Sequence, residues 1–315
     1  MKEKVRVLIA YDGSECADIA LEDLKRAGLP AEAEAWVMCV ADVFVPLPVD
    51  KEVEDTIPMY IPDVVRRAHE RAQQKLKEAR ALAKRASEQV KALFPAWQVR
   101  YEALADSPAW ALVRTAEQWK PNLIVMGARG HSVFGGRLIL GSISQRVLYE
   151  APCSVRIARM SRKNPEEGIR LLVGVDRSSD SNAAVDAICN RKWPRGSEVG
   201  VLAIVDTVMA INDDASDSSA MKWIEVSDEK NWDQVREIFE PSAEKLRRAG
   251  LHAEVLIRRG YPADQILQEA ETWGADCIFV GAKGVRGIDR LLLGSVSSAV
   301  SARAHCSVEV VRPNR

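Results

Sequence analysis

The sequence has no hydrophobic run that approaches the roughly 18 residues needed to cross a membrane. Its opening segment, MKEKVRVLIAYDG, holds only a short apolar stretch before Asp12, so we predict neither a signal peptide nor a membrane anchor there. An excess of positive charge is also missing, because 44 Lys and Arg residues face 45 Asp and Glu residues. This balance argues against nucleic acid or an anionic membrane as the main partner.

Several chemical signatures are absent as well. The six cysteines show no Cys-x-x-Cys spacing, and the four histidines, at positions 69, 131, 252 and 305, show no metal-ligand spacing. The turns after the two candidate first strands are DGSEC and DRSSD, without the Gly-x-Gly-x-x-Gly of dinucleotide-binding folds. Neither a P-loop nor a Gly-x-Ser-x-Gly elbow occurs. We therefore predict no metal site, buried free thiols and a reducing, cytoplasmic location.

What the sequence does contain is a long internal repeat. GARGHSVFGGRLILGSIS at residues 127–144 returns as GAKGVRGIDRLLLGSVS at residues 281–297. Each repeat follows a short apolar run, and the match extends upstream. Segments 108–119 and 262–273 both begin with Pro, end with Trp and stand at the same distance from these glycines. A repeat of this length predicts two copies of one domain.

The length fits two domains, because 315 residues are about twice a typical domain of roughly 150. We predict domains at residues 1–160 and 168–315, joined by a polar linker. Apolar runs alternate with amphipathic segments in both copies, which predicts an α/β fold: a parallel sheet with helices on both faces. The predicted strands are residues 5–11, 36–41, 97–104, 123–126, 154–158, 170–175, 198–206, 252–259, 277–280 and 307–311. Predicted helices of the first copy are 14–27, 63–94 and 108–119, and segments 45–62 and 213–219 are predicted loops.

An acidic residue and a glycine-rich loop follow the first and fourth strands of each copy. Asp12 and Asp176 close the first strands, while Gly127 and Gly281 close the fourth. If those strands are neighbours, both groups flank one crevice at the carboxyl end of the sheet, where ligands bind in such folds. Gly-x-x-Gly leaves backbone N–H groups unobstructed, and a Gly-Ser helix start offers further N–H groups and positive potential. The combination predicts an oligophosphate site.

Structural explanations compete with this prediction for each group alone. Gly-Ser before a helix is often only a capping device, and Asp12 and Asp176 could merely cap the following helix. Arg129 and Lys283, between the two glycines of each loop, could be solvated loop charges. The occurrence of Asp, Gly-x-x-Gly and Gly-Ser in order, and twice, favours the functional interpretation.

The arrangement resembles a tandem universal stress protein over essentially the whole chain. That family's signature is Gly-x2-Gly-x9-Gly-[Ser/Thr] with an acidic residue closing the first strand. The resemblance implies two tandem doubly wound domains, each with a five-stranded parallel sheet of order 3-2-1-4-5. It also implies that some members bind ATP or a similar adenine nucleotide, with or without Mg²⁺, and act as stress sensors or regulators. A slow ATPase and an interaction module that binds no nucleotide remain the alternatives.

The resemblance implies a set of nucleotide-binding residues in each copy: an acidic residue for ribose, aliphatic residues for adenine, and the glycine loop with the helix start for phosphates. No catalytic residue is assigned. The predicted residues of the first site are Tyr11, Asp12, Val40, Met126, Gly127, Arg129, Gly130, Gly141, Ser142, Ile143 and Ser144. Those of the second are Val175, Asp176, Ile204, Val280, Gly281, Lys283, Gly284, Gly294, Ser295, Val296 and Ser297.

The two copies differ in loop length. Nine residues separate Gly284 from Gly294, as in the family pattern, whereas ten separate Gly130 from Gly141. We expect the extra residue to shift the first helix start relative to the glycine loop, and a misplacement on the order of 1 Å is enough to weaken preorganised contacts. The sequence therefore predicts weaker binding at the first site, or a preference there for another ligand, and slow turnover, if any, at both.

The final strands of the two copies are apolar and would lie at sheet edges, which must be paired or covered. Single-domain family members often dimerise through this strand. We therefore expect residues 154–158 to pair with residues 307–311, so that the chain forms an intramolecular pseudo-dimer that could dimerise again as a homodimer. Protein partners stay unknown at this stage.

Overall fold

The computed structural model describes residues 4–43, 63–130, 140–160, 167–205, 208–212, 221–225, 232–284 and 293–313. The loops predicted at 45–62 and 213–219 lie outside the described residues. No helix in the described part of the chain is both long and apolar enough to cross a membrane.

The first half alternates strands and helices. Strand β1 (Val5–Ala10) leads into helix α1 (Glu15–Asp23), which ends in a 3-10 turn at Leu24–Arg26. The predicted helix of 14–27 is therefore split, and Gly28 follows it with a positive φ of 63°. The other elements are β2 (Ala33–Ala41), α2 (Asp63–Leu93), β3 (Gln98–Ala105), α3 (Pro108–Trp119), β4 (Leu123–Gly127), α4 (Ser142–Glu150) and β5 (Ser154–Ala158).

Helix α2 is the single long helix that the sequence predicts between the second and third strands. Its buried residues, Ala79, Ala83, Ala86 and Val90, recur every three or four positions and so form one apolar stripe. The stripe packs on the sheet, and the rest of this Lys-, Arg- and Glu-rich helix faces water.

The second half repeats this order with one addition. Its elements are β6 (Arg170–Val175), α5 (Ser179–Cys189), β7 (Glu198–Val205), β8 (Val208–Asn212), β9 (Met221–Glu225), α6 (Trp232–Arg248), β10 (His252–Arg259), α7 (Pro262–Trp273), β11 (Cys277–Gly281), α8 (Ser295–Arg303) and β12 (Ser307–Val311). Strands β8 and β9 pair as an antiparallel ribbon that the sequence analysis missed. Two five-residue strands are too short to produce a clear periodic signal.

Ten strands of the described chain form one sheet, in the order β10-β7-β6-β11-β12-β5-β4-β1-β2-β3. Each half thus has the predicted parallel order 3-2-1-4-5. β1 pairs with both β2 and β4, and β6 pairs with both β7 and β11. The strand order therefore reverses beside β1 and β6, which opens a crevice at the carboxyl end of each half.

The expected pairing of the two final strands is also present. β5 and β12 lie antiparallel, with Val155 opposite Val310 and Ile157 opposite Val308. One apolar core crosses this junction on the face that carries α3, α4, α7 and α8. The opposite face carries two separate cores, one under α1 and α2 and one under α5 and α6.

Candidate functional sites at the two crevices

The crevice of the first half lies where β1 and β4 end. An apolar wall and a polar rim meet there: Met38, Val40 and Leu112 belong to the wall, and Asp12 and Arg129 to the rim. The complete lining consists of Ala10, Tyr11, Asp12, Ala17, Met38, Val40, Pro108, Leu112, Met126, Gly127, Arg129, Gly130, Ile143 and Ser144. The structure thus brings together nine of the eleven residues predicted for the first site. Gly141 and Ser142 belong to the adjacent helix start.

Asp12 is held by the serine that begins the next helix. Its Oδ1 accepts hydrogen bonds from the backbone N–H of Ser14 (3.0 Å) and from the Ser14 hydroxyl (2.6 Å). The Ser14 Oγ in turn accepts the N–H of Ala17, so Ser14, and not Asp12, caps helix α1. The Oδ2 of Asp12 faces the glycine loop, because a Cβ on Gly130 would lie 2.6 Å from it. The carboxylate is therefore positioned between the two parts of the predicted site.

Gly127 and Gly281, the first glycine of each loop, allow a helix to pack closely against the end of the strand. A Cβ on Gly127 would lie 2.5 Å from the carbonyl oxygen of Cys16, and one on Gly281 would lie 2.6 Å from the carbonyl carbon of Asp180. Both contacts involve the backbone in the first turn of the helix that follows β1 or β6. A side chain at either position would therefore push that helix away from the sheet.

The helix starts at Gly141 and Gly294 have the same geometry in both halves. The N–H of Gly141 donates to the carbonyl of Ala128 (2.9 Å), and the N–H of Gly294 donates to that of Ala282 (2.8 Å). Their φ and ψ angles agree within a few degrees, at −66° and 154° against −64° and 150°. The expectation that the longer loop displaces the first helix start is therefore wrong. The described ends of the two loops are therefore equivalent although the first loop is one residue longer.

The serines of the two helix starts divide into two kinds. Ser142 and Ser295 are exposed at the first helical position, where N–H groups have no intrahelical acceptor. The hydroxyls of Ser144 and Ser297 are buried and donate instead to the carbonyls of Gly127 (3.0 Å) and Gly281 (2.6 Å). The predicted role of Ser144 and Ser297 as phosphate donors is not supported by this geometry, because their protons are directed at the strand end.

Tyr11 lines the first crevice and also belongs to the core. Its ring is buried in the core under α1 and α2, and its hydroxyl donates to Asp18 (2.5 Å) and accepts from Arg85 (3.0 Å). Burial, followed by the hydrogen bond to Asp18, raises the pKa of the Tyr11 phenol. Val175 occupies the same position in the second half and is likewise buried in the core on that face. A nucleotide contact of Tyr11, which lines the first crevice, or of Val175 stays a prediction.

The crevice of the second half repeats the acidic contact. Asp176 Oδ1 accepts from the N–H (3.0 Å) and hydroxyl (2.6 Å) of Ser178, and a Cβ on Gly284 would lie 2.6 Å from Asp176 Oδ2. Ile204, the aliphatic residue predicted for adenine, packs against the apolar core shared by the two halves. Of the other predicted residues, Val296 also packs against this core and Val280 belongs to it. Both crevices thus contain the same contacts between an aspartate, a serine and a loop glycine.

The comparisons with known proteins agree with this architecture. The model of the universal stress protein family matches residues 5–159 and again residues 170–312. The chain belongs to the universal stress protein family. It contains two such domains, and the boundaries at 1–160 and 168–315 stay a prediction at the level of single residues.

Relatives of this universal stress protein include single-domain and two-domain chains. Universal stress protein YxiE of Bacillus subtilis is 30% identical over 151 residues, which cover 45% of this chain and 98% of the relative. A universal stress protein of Thermus aquaticus is 36% identical over 157 residues, covering 49% and 97%. A crystal structure of a universal stress protein from Archaeoglobus fulgidus aligns with a TM-score of 0.58 at 21% identity, covering 98% of this chain and 96% of that one.

Two features of the sites escaped the sequence analysis. The apolar wall includes Met38, Pro108 and Leu112, which stand on β2 and α3 and not in the glycine motif. The second is Asp180, whose Oδ2 accepts the N–H of Lys283 at 3.1 Å. The first domain has Cys16 at that position. This difference was visible in the turns DGSEC and DRSSD, but only the fold shows that their last residue faces the glycine loop.

Proposed function

We propose that this protein binds ATP or a related adenine nucleotide at the carboxyl ends of its two half-sheets and acts as a stress sensor or regulator. The lining of the first crevice carries the proposal. It places a carboxylate, a basic residue, a glycine loop and an apolar wall around one opening. These are the groups that a ribose, a phosphate chain and a purine base require.

Each part of the nucleotide would meet a matching group. The Oδ2 of Asp12 lies at the loop and suits a ribose hydroxyl, because a carboxylate only accepts hydrogen bonds. Met38, Val40 and Leu112 offer an apolar surface to the base. The start of α4 at Gly141 and Ser142 offers N–H groups and positive potential to phosphates, and Arg129 adds charge.

A regulatory role fits these groups better than dedicated catalysis. The one carboxylate in the lining, Asp12, already accepts two hydrogen bonds from Ser14. Phosphoryl transfer requires a positioned nucleophile and stabilisation of the charge that develops in the transition state. We expect nucleotide turnover below about 1 s⁻¹, the low end of ordinary enzyme rates. Sustained hydrolysis above that rate would show that the protein is an enzyme.

The test uses isothermal titration calorimetry of the full chain with ATP, and with ADP and cyclic AMP for comparison. Gly130→Val and Gly284→Val each place a side chain against the Asp carboxylate of one crevice, at the 2.6 Å Cβ distance found for both. We expect each substitution to weaken binding at its own crevice at least tenfold and to leave the other crevice unchanged. Each variant thus serves as the matched control of the other.

Two further variants separate loss of fold from loss of contact. Asp12→Asn and Asp176→Asn keep an oxygen for the Ser14 and Ser178 hydrogen bonds but remove the negative charge. Circular dichroism should show unchanged folding, while nucleotide affinity falls at the corresponding crevice. If no adenine nucleotide binds the parent protein at millimolar concentration, the nucleotide proposal is wrong and the crevices belong to an interaction module.

A further inference from the structure

The junction between the two domains has a charged pair at its centre. In the antiparallel pairing of β5 with β12, Arg156 lies opposite Glu309. These residues hold equivalent positions in the repeat, since each follows the same Cys-Ser-Val sequence. The local two-fold axis of the junction therefore passes between Arg156 and Glu309. If either strand paired in this register with the same strand of a second copy, its central residue would face the identical residue of that copy.

Both central residues are completely buried and belong to one ionic cluster. The Arg156 guanidinium donates to Asp23 through Nε (2.6 Å) and Nη2 (3.2 Å), and its Nη1 lies 3.3 Å from Glu309 Oε2. Arg191 donates to the same Glu309 carboxylate from the other side, with 2.8 Å between Nη1 and Oε2. Ser307 donates a hydrogen bond to Asp23 at 2.9 Å. Arg156 thus pairs with Asp23 within the first domain, and Arg191 pairs with Glu309 within the second. The contact between Arg156 and Glu309 joins these two pairs across the junction.

A second buried ion pair crosses the junction nearby. Arg26 of the first domain lies 3.0 Å from Asp276 of the second, and both side chains are about 95% buried. The residue equivalent to Asp276 is Asn122, because Arg170 N–H donates to Asp276 just as Arg6 N–H donates to Asn122. By the repeat, Arg26 corresponds to Asn190. The first domain therefore carries only the arginine of this pair, and the second domain carries only the aspartate.

We propose that these two ion pairs select an unlike domain as the partner at this junction. Pairing of two first domains would bring Arg156 against Arg156 and would leave Arg26 facing Asn122. Pairing of two second domains would bring Glu309 against Glu309 and leave Asp276 facing Asn190. Arg156 would keep Asp23 and Glu309 would keep Arg191, each within its own domain, but two buried like charges would then face each other. Arg26 or Asp276 would in addition lose its partner across the junction, so both like pairings are disfavoured.

The partner that fits each junction surface is therefore the opposite domain, of the same chain or of a second copy. The linker gives the domain of the same chain a high effective concentration, which favours the closed single chain. Exchange with a second copy is the ordinary domain-swapped alternative. This selectivity concerns assembly and does not depend on nucleotide binding.

Charge reversal in the full-length chain tests the selectivity. Arg156→Glu places two glutamates at the centre, and Glu309→Arg places two arginines there. We expect each single variant to lose the closed junction and to melt at a lower temperature than the parent. The double variant Arg156→Glu/Glu309→Arg should recover part of that loss. A mixture of the two single variants should form a 1:1 complex with twice the mass of one chain, because each then offers the other a complementary surface.

Native mass spectrometry and light scattering identify the 1:1 complex, and coexpression of the two variants covers the case in which either alone is insoluble. The matched control reverses the Arg258–Glu269 pair (2.6 Å), which lies within the second domain. Mixing Arg258→Glu with Glu269→Arg should give no complex. The proposal is overturned if the junction variants keep the parent's melting temperature. Recovery in the double variant is only partial, because each reversed charge meets a like charge of its own domain, at Asp23 or Arg191. The proposal is also overturned if neither mixing nor coexpression gives the 1:1 complex.

Discussion

At the described residues, the two crevices differ more in the helix turn that faces the glycine loop than at the two ends of that loop. In both domains the glycine that precedes the next helix donates its N–H to the carbonyl of the second loop residue, although the first loop is one residue longer. The facing turns have the same shape, with Gly13 at φ 79° and Arg177 at φ 64°. Their charge is different, because Asp180 accepts the loop N–H of Lys283 where the first domain has Cys16.

We expect an insertion between fixed anchors to change a site less than a single charge beside it. A loop residue can be accommodated away from the anchors, whereas a carboxylate acts on an approaching phosphate from several ångströms away. The ranking predicted from loop length, with the first site weaker, therefore loses its geometric basis. We now propose that the second crevice, with Asp180 on its loop, binds anionic ligands more weakly.

The largest expected effect tests the close packing of the first loop glycine against a helix, which is the same in the two domains. In Gly127→Val and Gly281→Val, the new Cβ would lie about 2.5 Å from helix backbone in both domains. We expect each to lower the free energy of unfolding by about 3 kcal/mol, since the helix must move. Gly174→Ala is the control, because the nearest atoms to its Cβ belong to side chains and not to the backbone: Ile266 Cδ1 at 3.2 Å and Val280 Cγ1 at 3.6 Å. Urea unfolding measures all three, and an unchanged midpoint in either valine variant would break the equivalence of the domains.

A smaller effect tests the charge that is present at Asp180 and absent at Cys16, the equivalent position of the first domain. Asp180→Cys gives the second domain the residue of the first, and Cys16→Asp makes the reverse change. Removing one carboxylate near a phosphate is expected to contribute about 1 kcal/mol, so ATP affinity should rise about fivefold at the second crevice and fall similarly at the first. Glu22→Gln, an exposed charge change on α1, should alter neither affinity. Calorimetry showing no effect of either exchange would remove charge as the basis of the asymmetry.

The smallest effect concerns two equivalent thiols, one on each side of the junction. Burial raises the pKa of Cys153 and of Cys306 to about 12, and Arg312 or Arg159 of the opposite domain partly offsets the shift. Because the folded pKa is raised, the stabilisation is complete below about pH 9 and falls as the pH rises from 9 towards 12.

At pH 9.5 the loss should be about 0.8 kcal/mol per thiol relative to pH 7. Cys153→Ala and Cys306→Ala should each reduce the pH dependence of the urea midpoint by the same amount, and the double variant by the sum. A pH dependence that responds to only one of the two substitutions would show that the junction is not symmetric.

The outline of both domains could be predicted from the sequence because it depends on local patterns. Apolar runs of five or six residues, the stripe of α2 and the repeated Pro-to-Trp segments fix most strands and helices within a few residues. The ribbon of β8 and β9 could not be predicted, since its strands are short and, unlike the equally short β4, β5, β11 and β12, are not marked by the internal repeat. In the crevices, the repeat located Asp12, the glycine loops and the helix starts, but it could not show that Tyr11 faces the core or that Ser144 donates to a carbonyl.

Two copies of one domain, each with an acidic strand end and a glycine loop, can be recognised from the amino-acid sequence because periodicity and repetition are local to the chain. The three-dimensional packing was needed to establish which of those residues face a crevice. It also decided that Arg156 meets Glu309 and that Arg26 meets Asp276. Residues more than a hundred positions apart are brought together by strand order and register, and the energy of a charge depends on the burial and the partner that this packing gives it.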